Sequence, residues 1–161
     1  MARSQRPQQI LDAALRLFNQ SGAAAVSTNH IAQDLGISPG NLYYWYPNKE
    51  AIVRALYGRM VGEYTARWAA MAQGPPTAAS VLGFIEASFE TNWRYRFLLV
   101  DLVWLCRQDP ELKTTYMANQ AEREGRMVAA LRAGAEAGLL DLPDDPALLQ
   151  DLHRLLWMVN H

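Results

Sequence analysis

The chain of 161 residues predicts an all-α protein, and three observations lead there. Apolar side chains recur at helical spacing in one segment after another. Residues that open and close helices stand at the ends of those segments. No stretch alternates polar and apolar residues as a half-buried strand would, and no internal repeat is visible. About eight helices are expected on this reading.

The elements follow in order. Pro7 suits a first helical position, and Ile10, Ala14, Leu17 and Phe18 form a stripe that Leu11 and Leu15 widen. Ser21-Gly22 ends this helix, because glycine takes the left-handed cap without strain. Ser27 caps a second, short helix with Ile31, Ala32 and Leu35 on one face, closed by Gly36. Ser38 caps a third, Pro39 takes its first position, and Leu42 faces inward. Asn48 caps a long fourth helix with Ile52, Leu56, Met60 and Tyr64 toward the interior. Gln73-Gly74-Pro75-Pro76 breaks it and is the clearest linker. Val81, Phe84, Ile85, Ser88 and Phe89 mark a fifth helix. Residues 97–106 are apolar nearly all round, so the sixth helix should be buried on most sides. Asp109-Pro110 opens a seventh that Gly138 stops, and Asp145-Pro146 opens a leucine-rich last one.

Composition excludes several classes. Half of the residues are hydrophobic, enough for a core, and the net charge is −1. The chain is therefore neither an acidic disordered tail nor a uniformly basic coat. The single cysteine, Cys106, allows no disulfide within the chain, which fits a reducing compartment, and a cytoplasmic location is expected. The longest apolar run, from Phe97 to Cys106, is broken by Asp101 and is too short to span a membrane. Charge is unevenly spread. Residues 1–60 carry six basic side chains against three acidic ones, and residues 61–161 carry nine against thirteen. A basic first third points that end toward a polyanion.

The stretch Gly36–Val53, "GISPGNLYYWYPNKEAIV", places four rings in a row, Tyr43 to Tyr46, behind a Ser-Pro-Gly-Asn turn. Buried in a core, their polar tips would need partners. Two short helices joined by a tight turn, Ser27–Leu35 and Ser38–Tyr44, form a helix-turn-helix. In this motif the second helix enters the DNA major groove with its N-terminal residues at the base edges. Ser38, Gly40 and Asn41 occupy that end. Gly40 lets backbone and DNA approach closely, and Asn41 offers a donor and an acceptor to an adenine edge. Tyr43 and Tyr44 can set their hydroxyls on phosphates while their rings pack below; the plainer reading makes them rings at the edge of a core. Lys49 suits a phosphate as well, and Ser27 and Thr28 form a second phosphate clamp. Trp45 and His30 read equally as backbone contacts or as ordinary packing and surface residues.

Residues 10–57, "ILDAALRLFNQSGAAAVSTNHIAQDLGISPGNLYYWYPNKEAIVRALY", resemble the N-terminal domain of the TetR/AcrR family of bacterial transcriptional regulators. The Ala-x-x-Leu-Phe helix, the Ile-Ala-x-x-x-Gly-Ile-Ser turn, the Gly-Asn-Leu-Tyr-Tyr recognition helix and the Asn-Lys-Glu opening of the fourth helix carry the likeness. It implies an N-terminal DNA-binding domain (1–57), joined by the long fourth helix to a helical ligand-binding and dimerisation domain (58–161). It implies a homodimer on a palindromic double-stranded DNA operator, leaving it when a small-molecule effector binds. Thr28, Ser38, Gly40, Asn41, Tyr43, Tyr44 and Lys49 match the family's positions, and Pro39 stands where members often carry lysine. Trp45-Tyr46 replaces a common His-Phe pair. Relatives usually continue past this last helix into another long one, the two forming a dimer bundle. Leu148, Leu152, Leu155 and Leu156 are then expected partly at the subunit contact.

For the second domain, aromatic and soft residues are the candidate lining of a partly apolar effector site: Trp93, Phe97, Trp104, Tyr116 and Met127. Such side chains also build ordinary cores, the plainer reading of each one. Asp101, an acid in an apolar run, either selects a cationic or hydrogen-bonding ligand or pairs with Arg94 or Arg96. Glu90 with Arg94 and Glu122 with Arg126 have the spacing of surface pairs. No enzyme is expected: the three histidines share no metal-ligand spacing with one another or with Cys106, and no nucleophile elbow or phosphate-cradling glycine loop is present. No cofactor is implied. A helical ligand-binding or scaffolding protein without DNA binding is the other class, and it leaves residues 38–44 unexplained.

Overall fold

The computed structural model describes residues 2–74 and 77–141, with side chains from residue 5 onward. Over these residues it is helical: α1 (Ala2–Ser21), α2 (Thr28–Asp34), α3 (Pro39–Trp45), α4 (Lys49–Met71), α5 (Ala78–Arg94), α6 (Arg96–Gln108) and α7 (Pro110–Glu136). The leucine-rich helix expected after Asp145 lies outside the described residues. α1 starts earlier than Pro7 predicts. Proline so near a helix start removes a single backbone hydrogen bond, and the turn before it is polar, so the helix runs through.

The caps explain the boundaries. Ser27 Oγ accepts from the His30 N–H, and His30 Nδ1 accepts from the Ser27 N–H, closing a reciprocal capping box. Ser38 Oγ accepts from the Asn41 N–H at 3.2 Å, and Asn48 Oδ1 from the Ala51 N–H at 2.8 Å. Thr77 and Ser80 cap α5 reciprocally. Gly36, between α2 and α3, has a φ of 63°, which only glycine adopts without cost.

Two compact units divide the chain. Among the described residues, one comprises those up to Gly62 together with Arg94–Leu112, and the other comprises Glu63–Trp93 and residues 113–141. In the first, α1 packs on α2 and α6, and α2 packs on α3. Its core holds Ile10, Ala14, Phe18, Ile31, Leu42, Ile52, Leu56, Phe97, Leu98 and Leu112, all buried. The Phe18 and Phe97 rings lie 5.1 Å apart at 47°. α6, expected to be buried on most sides, is two-faced: Phe97, Leu98 and Leu105 are buried, whereas Val100 is 82% and Val103 67% exposed. An all-round apolar sequence sets no orientation, and packing on α1 uses one side only.

Polar bonds fasten α6 and its flanks to the earlier helices of the same unit. Asn19 of α1 accepts from the Phe97 N–H at 3.1 Å and donates to the Arg94 carbonyl at 2.7 Å. Arg59 of α4 donates to the Tyr95 hydroxyl and to Asp12. Burial opposes the Arg59 charge, but these two hydrogen bonds prevail and raise its pKa above the ordinary arginine value. Asp109 accepts from the Glu111 and Leu112 N–H groups as the cap of α7, and its other oxygen takes Arg54 at 2.6 Å. In the second unit, Tyr64 donates to Asn92 at 2.6 Å, Trp68 packs on Phe84, and Arg67 donates to Thr91 and to the Ala87 carbonyl. Burial raises the Tyr64 phenol, with Arg123 and Arg67 pulling the other way. Of the expected surface pairs, Arg126–Glu122 is formed.

Asp109→Ala should lower stability by about 2–3 kcal/mol, since it removes a helix cap and the Arg54 partner together. Asp109→Asn, which keeps the cap, should lose less. Urea denaturation followed by circular dichroism measures both.

Candidate nucleic-acid interface

Leu42 is fully buried and fixes the rotation of α3. Successive residues on an α-helix turn by about 100°, so Gly40 and Tyr44 fall opposite Leu42, with Asn41 and Tyr43 on the flanks. The exposures follow. Ser38, Pro39, Gly40 and Asn41 are exposed, Tyr43 is 45% and Tyr44 76% exposed, and Trp45 and Tyr46 are half-buried. The four rings thus divide, two outward and two against the protein. Burial of Tyr46 raises its phenol pKa, partly offset by Arg59. Tyr44 meets Trp45 edge to face, with centroids 5.0 Å apart at 87°.

Gly40 has a negative φ, and a Cβ built there meets nothing within 4 Å. Neither backbone conformation nor packing inside the chain asks for glycine. The Asn41 side-chain amide bonds to no group among the described residues, while its backbone N–H is held by Ser38. Thr28 of α2 and Tyr43 of α3 join hydroxyls at 2.9 Å. One hydroxyl proton of that pair remains to be donated, as a phosphate oxygen requires. Ser27 Oγ, beside Thr28, also retains its proton.

Lys49, expected at a phosphate, makes contacts within the chain. Its Nζ donates to the Ala23 carbonyl at 2.8 Å and lies 5.5 Å from the centroid of the Trp104 ring. A carbonyl in reach of a half-buried ammonium is satisfied locally, so the side chain turns onto the protein.

The six candidate effector residues do not share one unit. Phe97 is core of the first unit, packed on Phe18, and Trp104 lies under Lys49. Asp101 pairs with neither expected arginine: its Oδ2 accepts from the Ala23 N–H at 2.9 Å. These three lie in the first unit. Trp93, Tyr116 and Met127 lie in the second unit; Trp93 is exposed, and Tyr116 and Met127 are half-buried, with Tyr116 accepting from Gln120 at 2.9 Å. The polar cluster of that unit, Tyr64, Arg67, Thr91 and Asn92, carried no motif in the sequence; only a polar residue facing inward on α5, Thr91, hinted at it.

Two short helices in this arrangement, the second outward-facing and polar at its N-terminal end, define a helix-turn-helix protein of the DNA-binding class. The chain belongs to the TetR family of bacterial regulatory proteins: residues 10–56 match the model of the family's regulatory-protein N-terminal region, and residues 59–161 match that of the bacterial transcriptional repressor TetR. It is similar to the HTH-type transcriptional regulator AcrR of Shigella flexneri, 27% identical over 141 residues that cover 83% of this chain and 66% of that protein. The class D tetracycline repressor of Escherichia coli is 43% identical over 56 residues, 35% of this chain and 25% of the repressor. The chain therefore spans about two thirds or less of the length of these relatives. A crystal structure of a TetR-family transcriptional regulator from Marinobacter aquaeolei VT8 superposes with a TM-score of 0.90 at 30% identity, covering 96% of this chain and 75% of that one.

Gly40→Ala separates fold from recognition. It should leave stability unchanged or raise it by up to about 1 kcal/mol, because alanine favours the helix, while weakening DNA binding by crowding the approach. Thermal melting and fluorescence anisotropy on a labelled duplex give the two readouts.

Proposed function

We propose that the protein is a sequence-specific DNA-binding transcriptional regulator, a repressor that leaves a palindromic operator when a small molecule binds. The outward face of α3 carries the reading. Leu42 anchors it, and Gly40, Asn41, Tyr43 and Tyr44 stand clear. Asn41 reads a base edge, and Ser27, Thr28, Ser38, Tyr43 and Tyr44 hold phosphates, with Pro39 opening the helix that carries Asn41, Tyr43 and Tyr44.

The reading includes a homodimer. Two copies of α3 then meet successive major grooves, about 34–36 Å apart. An effector that binds best when this spacing is wrong shifts the population off DNA, and a coupling of about 1–3 kcal/mol changes affinity 5–150-fold. The second unit is the place for such an effector, with Trp93, Tyr116 and Met127 as apolar candidates. The family membership supports both parts. No helix among the described residues is long and apolar enough to cross a membrane.

Selection of duplexes from a random pool by the full chain tests the reading. Binding to the selected duplex should fall steeply as salt rises, because phosphate contacts release counterions. Absence of binding to any duplex at low salt would favour the helical scaffold instead. Asn41→Ala should cost about 1–3 kcal/mol on the selected duplex and relax base preference there. Equal losses on selected and shuffled duplexes would remove Asn41 from base readout.

A further inference from the structure

In the second unit, the later part of α4 and α5 bond side by side in antiparallel register. Trp68 packs on Phe84 with ring centroids 4.4 Å apart, Arg67 meets Ala87 and Thr91, and Tyr64 meets Ser88 and Asn92. One group in this seam is engaged on one side only. Arg67 donates to the Ala87 carbonyl and to the Thr91 hydroxyl, and both bonds leave from Nη1. Its Nη2 and Nε donors bond to no group among the described residues, and it forms no ion pair there. Arg126 of the same unit, by contrast, takes the Glu122 carboxylate. Arg67 is half-buried, and both of its partners are neutral. Glu63 is one step removed, since Thr91 donates to it at 3.4 Å. Arg123 brings a second cation, 5.6 Å from the centroid of the Tyr64 ring. Burial raises the Tyr64 phenol most; Arg123 and Arg67 both pull it back, and Glu63 opposes them. Two cations and one acid thus surround this phenol.

We propose that Arg67 holds the carboxylate of a small organic acid, which makes the effector an organic acid. The proposal rests on the effector reading above and names its chemical class. The Nε and Nη2 edge of a guanidinium is a planar fork that matches the two oxygens of a carboxylate. Nη1 is already tied to α5, so the fork is held before a ligand arrives and little rotamer freedom is left to lose. Partial burial strengthens such a pair relative to open water. An amine in the same place would meet two cations, and a neutral amide would leave the Arg67 charge without a counterion. Phe84 lies one turn before Ala87 on α5, so its pair with Trp68 offers a wall beside the fork for an aryl or alkyl body.

The test uses the full chain and three acids: octanoate, phenylpropionate and indoleacetate. Each is compared with the amide and the amine of the same carbon skeleton, and phenyl phosphate is the further anion. Calorimetry at low salt should show at least one acid binding in the submillimolar range. Its amide and amine should bind about tenfold more weakly or not at all, the scale of a charge-assisted bond. Arg67→Met should erase that preference, the acid falling about tenfold and the amide keeping its wild-type affinity. Arg67→Lys, which keeps the charge and loses the fork, should fall between. In the wild type, the Arg67 Nε–H resonance should move on adding the acid and stay put with the amide. That readout decides the matter even if Arg67→Met fails to fold. The acid that binds should also release the duplex that the wild type selects from a random pool. The carboxylate site is overturned if no acid binds, or if an amide or amine binds as tightly as its acid. It is overturned as well if the Arg67 resonance ignores a bound acid, or if phenyl phosphate binds more tightly than phenylpropionate. A neutral or cationic compound that releases the duplex overturns the organic acid and leaves the effector reading standing. An acid that moves the Arg67 resonance without releasing the duplex upholds the carboxylate site and strikes the effector reading alone.

Discussion

Burial of Leu42 is the constraint on which the outward face of α3 depends. Once that side chain is sealed among the core residues of the first unit, α3 has no rotational freedom. The helical repeat then dictates that Gly40 and Tyr44 point away from the protein. A polar residue at 42 would lose this anchor and leave the helix free to roll. The same logic explains why a helix of only seven residues can be functional. Too short to persist alone, it is held by a serine cap at one end, a proline at its first turn and a buried leucine in its middle.

Ion pairs and polar hydrogen bonds do the rest of the positioning in that unit. Arg59 joins α4 to α1 and to Tyr95, Arg54 joins α4 to the cap of α7, and Asn19 joins α1 to the turn before α6. Each bond links elements far apart in sequence, and together they make α6 a structural partner of the DNA-binding helices. The division of the chain into compact units consequently departs from its linear order. The family models part the sequence near residues 56–59, whereas the packing returns residues 94–112 to the first helices.

The fold was legible where local chemistry decides. Ser27, Ser38, Asn48 and Asp109 each announce a helix start, and each caps one. Leu42 as the inward residue of α3 follows from spacing alone. What could not be read was the destination of polar side chains that bond across the sequence. Lys49 lies 26 residues from Ala23 and Asp101 lies 78 from it, and no local pattern specifies either partner. An ionic group in an unusual place reads toward a ligand as readily as toward a partner within the chain. Hydropathy alone was equally silent on which face of α6 meets α1, and so Val100 and Val103 fall outside the core.

Titration of the isotopically labelled chain with its selected duplex, followed by amide and side-chain chemical shifts, tests the central claim most directly. The account predicts that the largest changes gather at Thr28, Ser38, Gly40, Asn41, Tyr43 and Tyr44, and that the Leu42 methyls report an unaltered core. Changes that skip α3 and gather in the second unit would contradict it.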